Sequence, residues 1–259
     1  MMYFAIALVS LLASLLTFFS GFGLGTLLLP VFALFFDLET AIALTAIVHF
    51  LNNVFKFGLV YDKIDKHIVF KFGIPSLIFA FLGAWLLKKI SFSPPLYIYS
   101  LGDHQFSITI VGIVIGTLML VFSLWELIPF LKNITFGKNN LIWGGVLSGF
   151  FGGLSGHQGA LRSAFLIKLN LEKEMFIASG IAIACLVDIA RLSIYSVNIK
   201  GELFSQNYFL LIVAIISAWI GALLGNKLLK KTTYGFIKWF VFIFMGLISL
   251  LIISGILNK

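Results

Sequence analysis

The chain has 259 residues, of which 61% are apolar and 11% charged, and its formal net charge is +8. A soluble domain carries roughly a quarter of its residues as charged side chains, so this composition excludes an ordinary soluble protein. The lysines stand singly or in pairs between apolar runs, which is typical of cations that flank a membrane and argues against nucleic-acid binding.

Apolar segments follow one another along the whole chain. A helix of about 20 residues crosses the hydrocarbon core of a bilayer. Lipid cannot form hydrogen bonds with backbone N–H and C=O groups, so a segment that crosses it must satisfy these groups internally. The ten-residue alternation of an outer-membrane barrel is absent. The sequence therefore predicts an all-α integral membrane protein. Its predicted spans are Thr40–Tyr61, Ile68–Leu87, Phe106–Phe130, Met175–Val197, Tyr208–Leu229 and Thr233–Leu257.

Two further apolar segments, Tyr3–Phe36 and Leu141–Leu169, are interrupted by glycine clusters. Each is followed by a similar short loop, starting at Asp37 and at Asn170, and later by a lysine pair. A repeated plan of this kind indicates duplicated transporter halves. We assign residues 1–131 to a first membrane repeat, 132–140 to a linker and 141–259 to a second repeat.

The lysine distribution indicates how the glycine-broken segments lie in the membrane, because cytoplasmic loops collect Lys and Arg. If both segments fold back as re-entrant hairpins, the loops at 61–71, 131–140, 168–174 and 227–238 share one side and carry eleven lysines, against four on the other. If both segments cross, the bias disappears. The lysine bias therefore favours the hairpin arrangement. In it, each repeat has one hairpin and three transmembrane helices, the two repeats are inverted, and both termini are predicted outside the cytoplasm.

The predicted hairpin turns lie at residues 20–26 and 152–159, with Pro30 and Arg162 in the helices that follow. Glycine permits a reversal at membrane depth, and the helix that starts after it offers an N-terminus that favours an anion. The alternative is that the glycines only allow close helix packing. Arg162 is costly in an apolar segment unless it is paired, hydrated or snorkelling to an interface. His157 and Gln158 are candidate donors to an oxyanion.

A polar face on the next predicted helix of each half gives a second set of candidates. His49, Asn52, Asn53 and Lys56 share one face, as do Cys185, Asp188, Arg191 and Tyr195, and Lys56 matches Arg191 at an offset of 135. Asp188 and Arg191 can bind substrate or form a local i, i+3 pair, and Lys56 can snorkel. The candidate substrate-binding residues are Gly21, Gly23, Gly25, Thr26, Asn52, Asn53, Gly153, Ser155, Gly156, His157, Gln158, Gly159, Arg162, Asp188 and Arg191.

The run from Gly21 to Pro30, the loop Asp37–Thr40 and the second glycine motif Gly149–Gly159 resemble the TauE/SafE-type membrane proteins, also called sulfite exporters or toluene-sulfonate-uptake permeases. The resemblance implies transport of a small sulfur-containing anion such as sulfite, thiosulfate or an organosulfonate across the inner membrane. Leu24 and the His157-Gln158 pair depart from the glycines usual in these motifs.

The function predicted from these features is secondary transport of an anion by alternating access, in the cell inner membrane. An anion channel and a membrane-embedded enzyme are the alternatives, but HExxH, a nucleophile elbow and a Walker A motif are all absent. No cofactor or metal is expected, and the single Cys185 excludes an intrachain disulfide. The coupling ion, proton or sodium, and a homodimeric state stay open.

Overall fold

The computed structural model describes residues 1–20, 24–128, 136–195, 201–228 and 235–257. Helices account for 83% of the structure, as the predicted class requires. In chain order they are α1 (Met2–Ser20), α2 (Leu24–Phe35), α3 (Leu38–Val60), α4 (Lys66–Ser91), α5 (Ile110–Leu127), α6 (Leu141–Ser155), α7 (Gly159–Leu166), α8 (Lys173–Tyr195), α9 (Gly201–Leu228) and α10 (Gly235–Ile253). Short 3₁₀ turns occupy Tyr61–Lys63, Lys138–Asn140 and Ile167–Leu169.

Four helices within the described ranges are long and apolar enough to cross a membrane. They are Leu38–Lys63, Lys66–Ser91, Lys173–Tyr195 and Asn207–Gly225. The other two predicted spans correspond to α5 and α10, whose apolar stretches Ile110–Trp125 and Phe242–Ile253 are shorter. Phe130, Val197, Leu229 and Thr233, where four predicted boundaries fall, lie outside the described residues.

The predicted start of the third span at Phe106 is wrong, because a β-hairpin occupies that part of the chain. Strand β1 (Tyr97–Leu101) pairs antiparallel with β2 (His104–Ile108). Aromatic and β-branched residues favour the strands, and Gly102 supplies the positive φ, +62°, that the two-residue turn needs. The hairpin docks on the end of α10 through the Tyr99 hydroxyl, which donates to the Ser254 carbonyl at 2.8 Å.

Helix α4 starts earlier than predicted and contains a π-helical turn. It begins as Lys66–Ile68, passes through the π turn Val69–Gly73 and continues as Ile74–Ser91. Pro75 lacks a backbone N–H and its ring crowds the carbonyl four residues earlier. A π turn just before it accommodates that defect without ending the helix.

Helix α6 lies directly on α4, backbone against backbone. The contacts are made by glycines: Gly145 against Phe72, Gly149 against Ser76 and Gly153 against Ala80. Because residue numbers rise together along the two helices, α6 and α4 run parallel. Glycine permits this approach, since a Cβ at any of the three would fall within 2.3 Å of a backbone oxygen of α4.

Helices α1 and α9 form the matching contact on the other side of the molecule. Tyr3 packs edge-on against Phe209, with 5.7 Å between the ring centroids. Further along, Gly221 lies against the backbone of Leu11. These two helices therefore also run parallel, as α4 and α6 do.

The helix that follows each glycine break packs antiparallel to a neighbouring helix. Along α7, Gln158 lies beside Gly152 and Phe165 beside Gly144, so α7 runs antiparallel to α6. Helix α2 ends just before α3 begins, and Gly25 near its start lies against Thr45, so α2 runs antiparallel to α3.

Helices α3 and α8 cross the centre of the molecule side by side. Lys63 and Glu174 form an ion pair at 3.8 Å, and Asp65 N donates to Ser179 Oγ at 2.9 Å. At the other end of this contact, His49 lies 2.6 Å from Asp188. Since residue numbers rise along α3 as they fall along α8, the two helices are antiparallel. Their shared face carries the polar side chains described next.

Candidate functional site

The Asp188 carboxylate is the centre of a buried polar cluster between α3 and α8. Its Oδ1 accepts a hydrogen bond from Arg191 Nε at 3.0 Å and lies 2.9 Å from Arg191 Nη2. Its Oδ2 lies 2.6 Å from His49 Nδ1 and accepts from Asn53 Nδ2 at 3.2 Å. All four side chains are at least nine-tenths buried. The local pair that the i, i+3 spacing of Asp188 and Arg191 allows is therefore present, together with contacts to the other half of the chain.

Arg191 also lies against the second glycine turn. Gly156 ends α6 with φ at +80°, and a Cβ there would meet Arg191 Nη1 at 2.7 Å. Both the backbone conformation and the space therefore require glycine at this position. The Tyr195 hydroxyl, one turn further along α8, donates to the Gly153 carbonyl at 2.8 Å. Helix α8 thus holds the turn in place from two positions.

The turn itself presents buried polar atoms that have no partner. The His157 ring stacks on Phe122 with an interplanar angle of 6°, and its Nδ1 lies 3.2 Å from Ser155 Oγ. Ser148 Oγ donates to the Gln158 carbonyl and fixes the backbone of the turn. His157 Nε2 and both amide atoms of Gln158 are buried without a hydrogen-bond partner in the described part of the chain. Buried polar groups are normally satisfied, so these atoms indicate a site for a ligand or water.

Arg162 points from α7 toward α8. A Cβ at Gly180 would lie 3.3 Å from Arg162 Nε, so the guanidinium covers that glycine. Its Nη1 is buried with no hydrogen-bond partner among the described residues, and it interacts electrostatically with Asp188 and Cys185. Arg162 therefore faces the cluster. Its guanidinium lies against α8 inside the protein, so Arg162 does not snorkel to an interface.

Cationic side chains outnumber carboxylates in this region. The sequence contains two arginines, Arg162 and Arg191, and both meet near Asp188, the one buried carboxylate among the described side chains. Lys56 is also buried. Arginine presents a planar fork of donors that suits oxyanions better than the ammonium of lysine does. The cluster thus has the charge and the donor geometry for an anion.

The first half contributes less to this cluster than the sequence predicts. Asn53 reaches Asp188. Gly25, at the start of α2, faces the His49 ring, since a Cβ added to Gly25 would lie 3.6 Å from that ring. Thr26 is buried beside it. Gly21 and Gly23 lie outside the described residues.

Asn52 and Lys56 turn toward α1 and α9 instead of Asp188. The hydrogen-bond network places the Asn52 amide nitrogen 3.0 Å from Ser14 Oγ and 3.3 Å from the Ala218 carbonyl, and its oxygen 3.2 Å from Lys56 Nζ. Lys56 Nζ also donates to the Ser14 carbonyl at 3.4 Å. Lys56 is bonded inside the protein, so the snorkelling interpretation does not describe it.

Two contacts of the site escaped the sequence analysis. Ser14 belongs to a polar stripe on α1 with Ser10 and Thr17, whose i, i+4, i+7 spacing is a detectable signal. Phe122, which stacks on His157, is one of many aromatic residues in an apolar helix, and no sequence signal distinguishes it.

The comparison with protein families identifies the family to which the chain belongs. The sequence model of the sulfite exporter TauE/SafE family matches residues 6–252. The chain belongs to this family. TauE/SafE proteins are transporters, so the chain is a membrane protein that handles a small anionic substrate. Neither the curated proteins nor the solved structures yielded a match to this TauE/SafE chain.

Proposed function

We propose that this TauE/SafE protein is a secondary transporter that moves a small sulfur-containing oxyanion, such as sulfite, thiosulfate or an organosulfonate, across the cell inner membrane by alternating access. The observation that carries the proposal is the meeting of both arginines with unpartnered buried donors at the second glycine turn.

The anion is proposed to bind between this turn and α8. Arg162 Nη1 and the Gln158 amide nitrogen are buried donors without hydrogen-bond partners in the described ranges, and Arg191 Nη1 lies against the turn at Gly156. Charge-assisted hydrogen bonds to an oxyanion are about twice as strong as neutral ones, and Arg forms them with defined geometry. Helix α7 begins at Gly159 beside these groups, and its N-terminus adds favourable dipole charge. Asp188 holds Arg191 in position.

The lengths of the glycine-linked helices support the re-entrant arrangement. At about 1.5 Å per residue, the 15-residue α6 and the 8-residue α7 fall short of the ~30 Å hydrocarbon core. The antiparallel course of α7 along α6 returns the chain to the side from which it came. The 12-residue α2 has the same limitation. The second hairpin would therefore end within the membrane and leave its turn near the middle, whereas the 19-residue α1 of the first segment, at about 28 Å, reaches across most of the core.

Helix directions support two inverted repeats over 1–131 and 141–259, joined by the linker 132–140. Helix α1 runs parallel to α9 as α6 runs parallel to α4, while the corresponding helices α3 and α8 are antiparallel. Inverted repeats allow one half to rock against the other around a central site. Both termini would then lie outside the cytoplasm, and reporters active on one side only, fused to each end, test this.

The substrate is tested by binding and counterflow with the purified protein in proteoliposomes. Sulfite, thiosulfate, sulfate, methanesulfonate and acetate are compared, and saturable uptake with counterflow distinguishes a carrier from a channel. We expect a sulfur oxyanion to bind best. Equal affinity for acetate, or conductance without saturation, would contradict the proposal.

Arg162→Gln tests the site, because it replaces the charged guanidinium with a neutral amide that has fewer N–H donors. Loss of charge-assisted hydrogen bonds worth about 1.5–3 kcal/mol predicts a weakening of anion binding by about tenfold to a hundredfold. Arg162→Lys should recover part of the affinity, since it restores the charge without the fork.

The matched control is Lys168→Gln, the same loss of charge at an exposed position six residues further on. It should bind anions as the wild type does. If Arg162→Gln also binds with wild-type affinity and the protein is monodisperse, the anion does not bind at this site.

A further inference from the structure

We infer that anion transport by this protein is coupled to protons, not to sodium, and that His49, paired with Asp188, carries the coupled proton. The inference rests on the proposed function, because it names the ion that moves with the anion. It is carried by the geometry of the Asp188 carboxylate and by the position of His49 between the two halves of the chain.

The contacts of the His49 ring determine which nitrogen accepts a proton. Nδ1 lies 2.6 Å from Asp188 Oδ2, a distance at which the neutral ring donates Nδ1–H to the carboxylate. Nε2 is then the nitrogen with the lone pair, and the Asn53 amide nitrogen lies 3.4 Å from it. A proton taken from water by Nε2 turns the ring into an imidazolium whose charge the Asp188 carboxylate balances, and the return of that proton to water restores the starting state.

Sodium has no comparable site at Asp188. Each carboxylate oxygen already lies within 3.2 Å of two nitrogen atoms, Oδ1 of two from Arg191 and Oδ2 of one each from His49 and Asn53. A carboxylate oxygen has two lone pairs, so this arrangement leaves none for a metal cation. Asp188 is also the one buried carboxylate in the described ranges. A hard cation prefers several oxygen ligands, and the nitrogen donors around Asp188 repel it.

The charges that face His49 explain how the proton and the anion can be coupled. Arg191 on α8 and Arg162 on α7 carry positive charges that interact electrostatically with the ring, in addition to the negative Asp188 carboxylate that it contacts. Cys185 and Tyr195 on α8 also interact electrostatically with Asp188, whereas Lys56 on α3 faces α1. Helix α2 presents the uncharged Gly25.

An anion that binds Arg162 and Arg191 cancels the charge that disfavours the imidazolium. Protonation of His49 in turn adds positive charge that favours the anion. By linkage the two effects are equal, so each ligand raises the affinity of the protein for the other. The species that crosses the membrane is then the protein loaded with both, which is the condition for cotransport in one direction.

The position of the pair connects it to the conformational change. His49 lies on α3 of the first half and Asp188 on α8 of the second, so the contact spans the two halves that would move against each other. The His49 ring edge also faces the start of α2. Rocking of the halves would change the access of water to Nε2 from one side to the other.

The test uses wild-type protein in proteoliposomes with thiosulfate and, separately, methanesulfonate, whose charges stay constant over the pH range of the assay. Membrane voltage is clamped with potassium and an ionophore. We expect a pH gradient, acid outside, to drive accumulation of the anion, and a sodium gradient to have no effect. A thiosulfate gradient alone should acidify the compartment that it enters, as a pH-sensitive dye would record.

His49→Asn identifies the carrier of the proton, since asparagine keeps a donor near the Nδ1 position but cannot accept a proton. Accumulation driven by the pH gradient should fall to the level seen without a gradient, because the form loaded with both proton and anion cannot arise, while the purified variant stays folded and monodisperse. His104→Asn makes the same change on the exposed hairpin and should accumulate the anion as the wild type does.

Three results would overturn the inference: pH-driven accumulation by His49→Asn, accumulation driven by sodium, or net anion uptake by the wild type without movement of protons. If His49→Asn does not fold, the wild-type proton-flux and sodium measurements still decide the question of the ion, and His49→Gln replaces the variant. Counterflow by the wild type tests the proposed function separately, because exchange of anions needs no net movement of protons.

Discussion

Lys56 and Arg191 occupy matching positions in the two halves of the chain, 135 residues apart, yet they do different things. Lys56 Nζ donates to the Ser14 carbonyl and lies near the Asn52 amide, so it ties α3 to α1. Arg191 is paired with Asp188 and lies against the turn at Gly156. Lys56 therefore makes its contacts on the α1 side of α3, whereas Arg191 lies at the turn that carries the buried donors without partners in the described structure.

The glycine contacts of the two halves differ in the same sense. Helix α6 touches the backbone of α4 at Gly145, Gly149 and Gly153, and Gly83 of α4 completes the contact. The matching pair, α1 and α9, approaches this closely at Gly221. The second hairpin is therefore fixed along its length, and its turn holds the buried donors at a defined place. In the proposed arrangement of two repeats, the first half would support the structure and the second half would bind the anion.

The largest expected effect comes from breaking the fixed hairpin with Gly149→Ala. A Cβ at Gly149 would lie 2.2 Å from Ser76 O and 2.5 Å from Ser76 Cα, both backbone atoms that cannot move without separating the helices. We expect a loss of at least about 3 kcal/mol of stability, the upper range for overpacking, seen as aggregation or a large fall in Tm in detergent.

Gly58→Ala is the control for this change. It makes the same substitution near the end of α3, where no described atom lies within 4 Å, and it should be neutral or stabilise by up to about 1 kcal/mol. Equal stability of the two variants would show that α4 and α6 are not packed in this way.

The comparison of the two cations is sharpened by Arg191→Met and Lys56→Met. Removal of Arg191 leaves the buried Asp188 with less compensation, and breaking a buried pair from one side costs about 3–5 kcal/mol. The Tm and the anion affinity of Arg191→Met should both fall. Removal of Lys56 leaves the Ser14 carbonyl without this donor, which costs about 1–3 kcal/mol of stability, less than the loss expected for Arg191→Met.

Anion binding by Lys56→Met should therefore stay close to that of the wild type, because Lys56 faces α1 and not the turn. Thermal unfolding and thiosulfate titration of both variants provide the measurement. If Lys56→Met loses the anion as completely as Arg191→Met does, the site is symmetric and the division into two kinds of half is wrong.

Local sequence signals predicted the helices and part of the cluster. The apolar runs located the long helices, and the i, i+3 spacing of Asp188 and Arg191 anticipated their pair. The glycine signal at 152–159 located the turn around Gly156. These features depend on residues within a few positions of one another, which a helical or turn period makes visible.

Long-range contacts were beyond those signals. The pair of His49 with Asp188 joins residues 139 apart, and the spacing along either helix does not indicate it. Asn52 and Asn53 are neighbours on one predicted face, yet one turns to Ser14 and the other to Asp188, since α3 is packed on two sides. The hairpin at 97–108 was missed because the apolar residues of its second strand continue directly into the helix that follows. The alternating pattern of the strand therefore could not be separated from the helical pattern.

The smallest and most discriminating effect is expected from Gln158→Leu. Both atoms of the Gln158 amide are buried without a partner in the described part of the chain, and an unsatisfied buried group costs about 1–3 kcal/mol. Leucine has a similar size and no polar atoms, so the variant should unfold at a higher temperature than the wild type when no anion is present. With saturating thiosulfate the order should reverse, because ligand binding stabilises the wild type and not the variant.

Gln105→Leu, on the exposed strand β2, controls for the substitution and should change neither Tm nor the thiosulfate response. If Gln158→Leu instead lowers Tm without ligand, the amide contributes to packing of the turn. If it raises Tm and keeps the thiosulfate response, the anion binds elsewhere. A gain of stability together with a loss of binding would mean that the turn keeps an unfavourable buried amide because the ligand needs it.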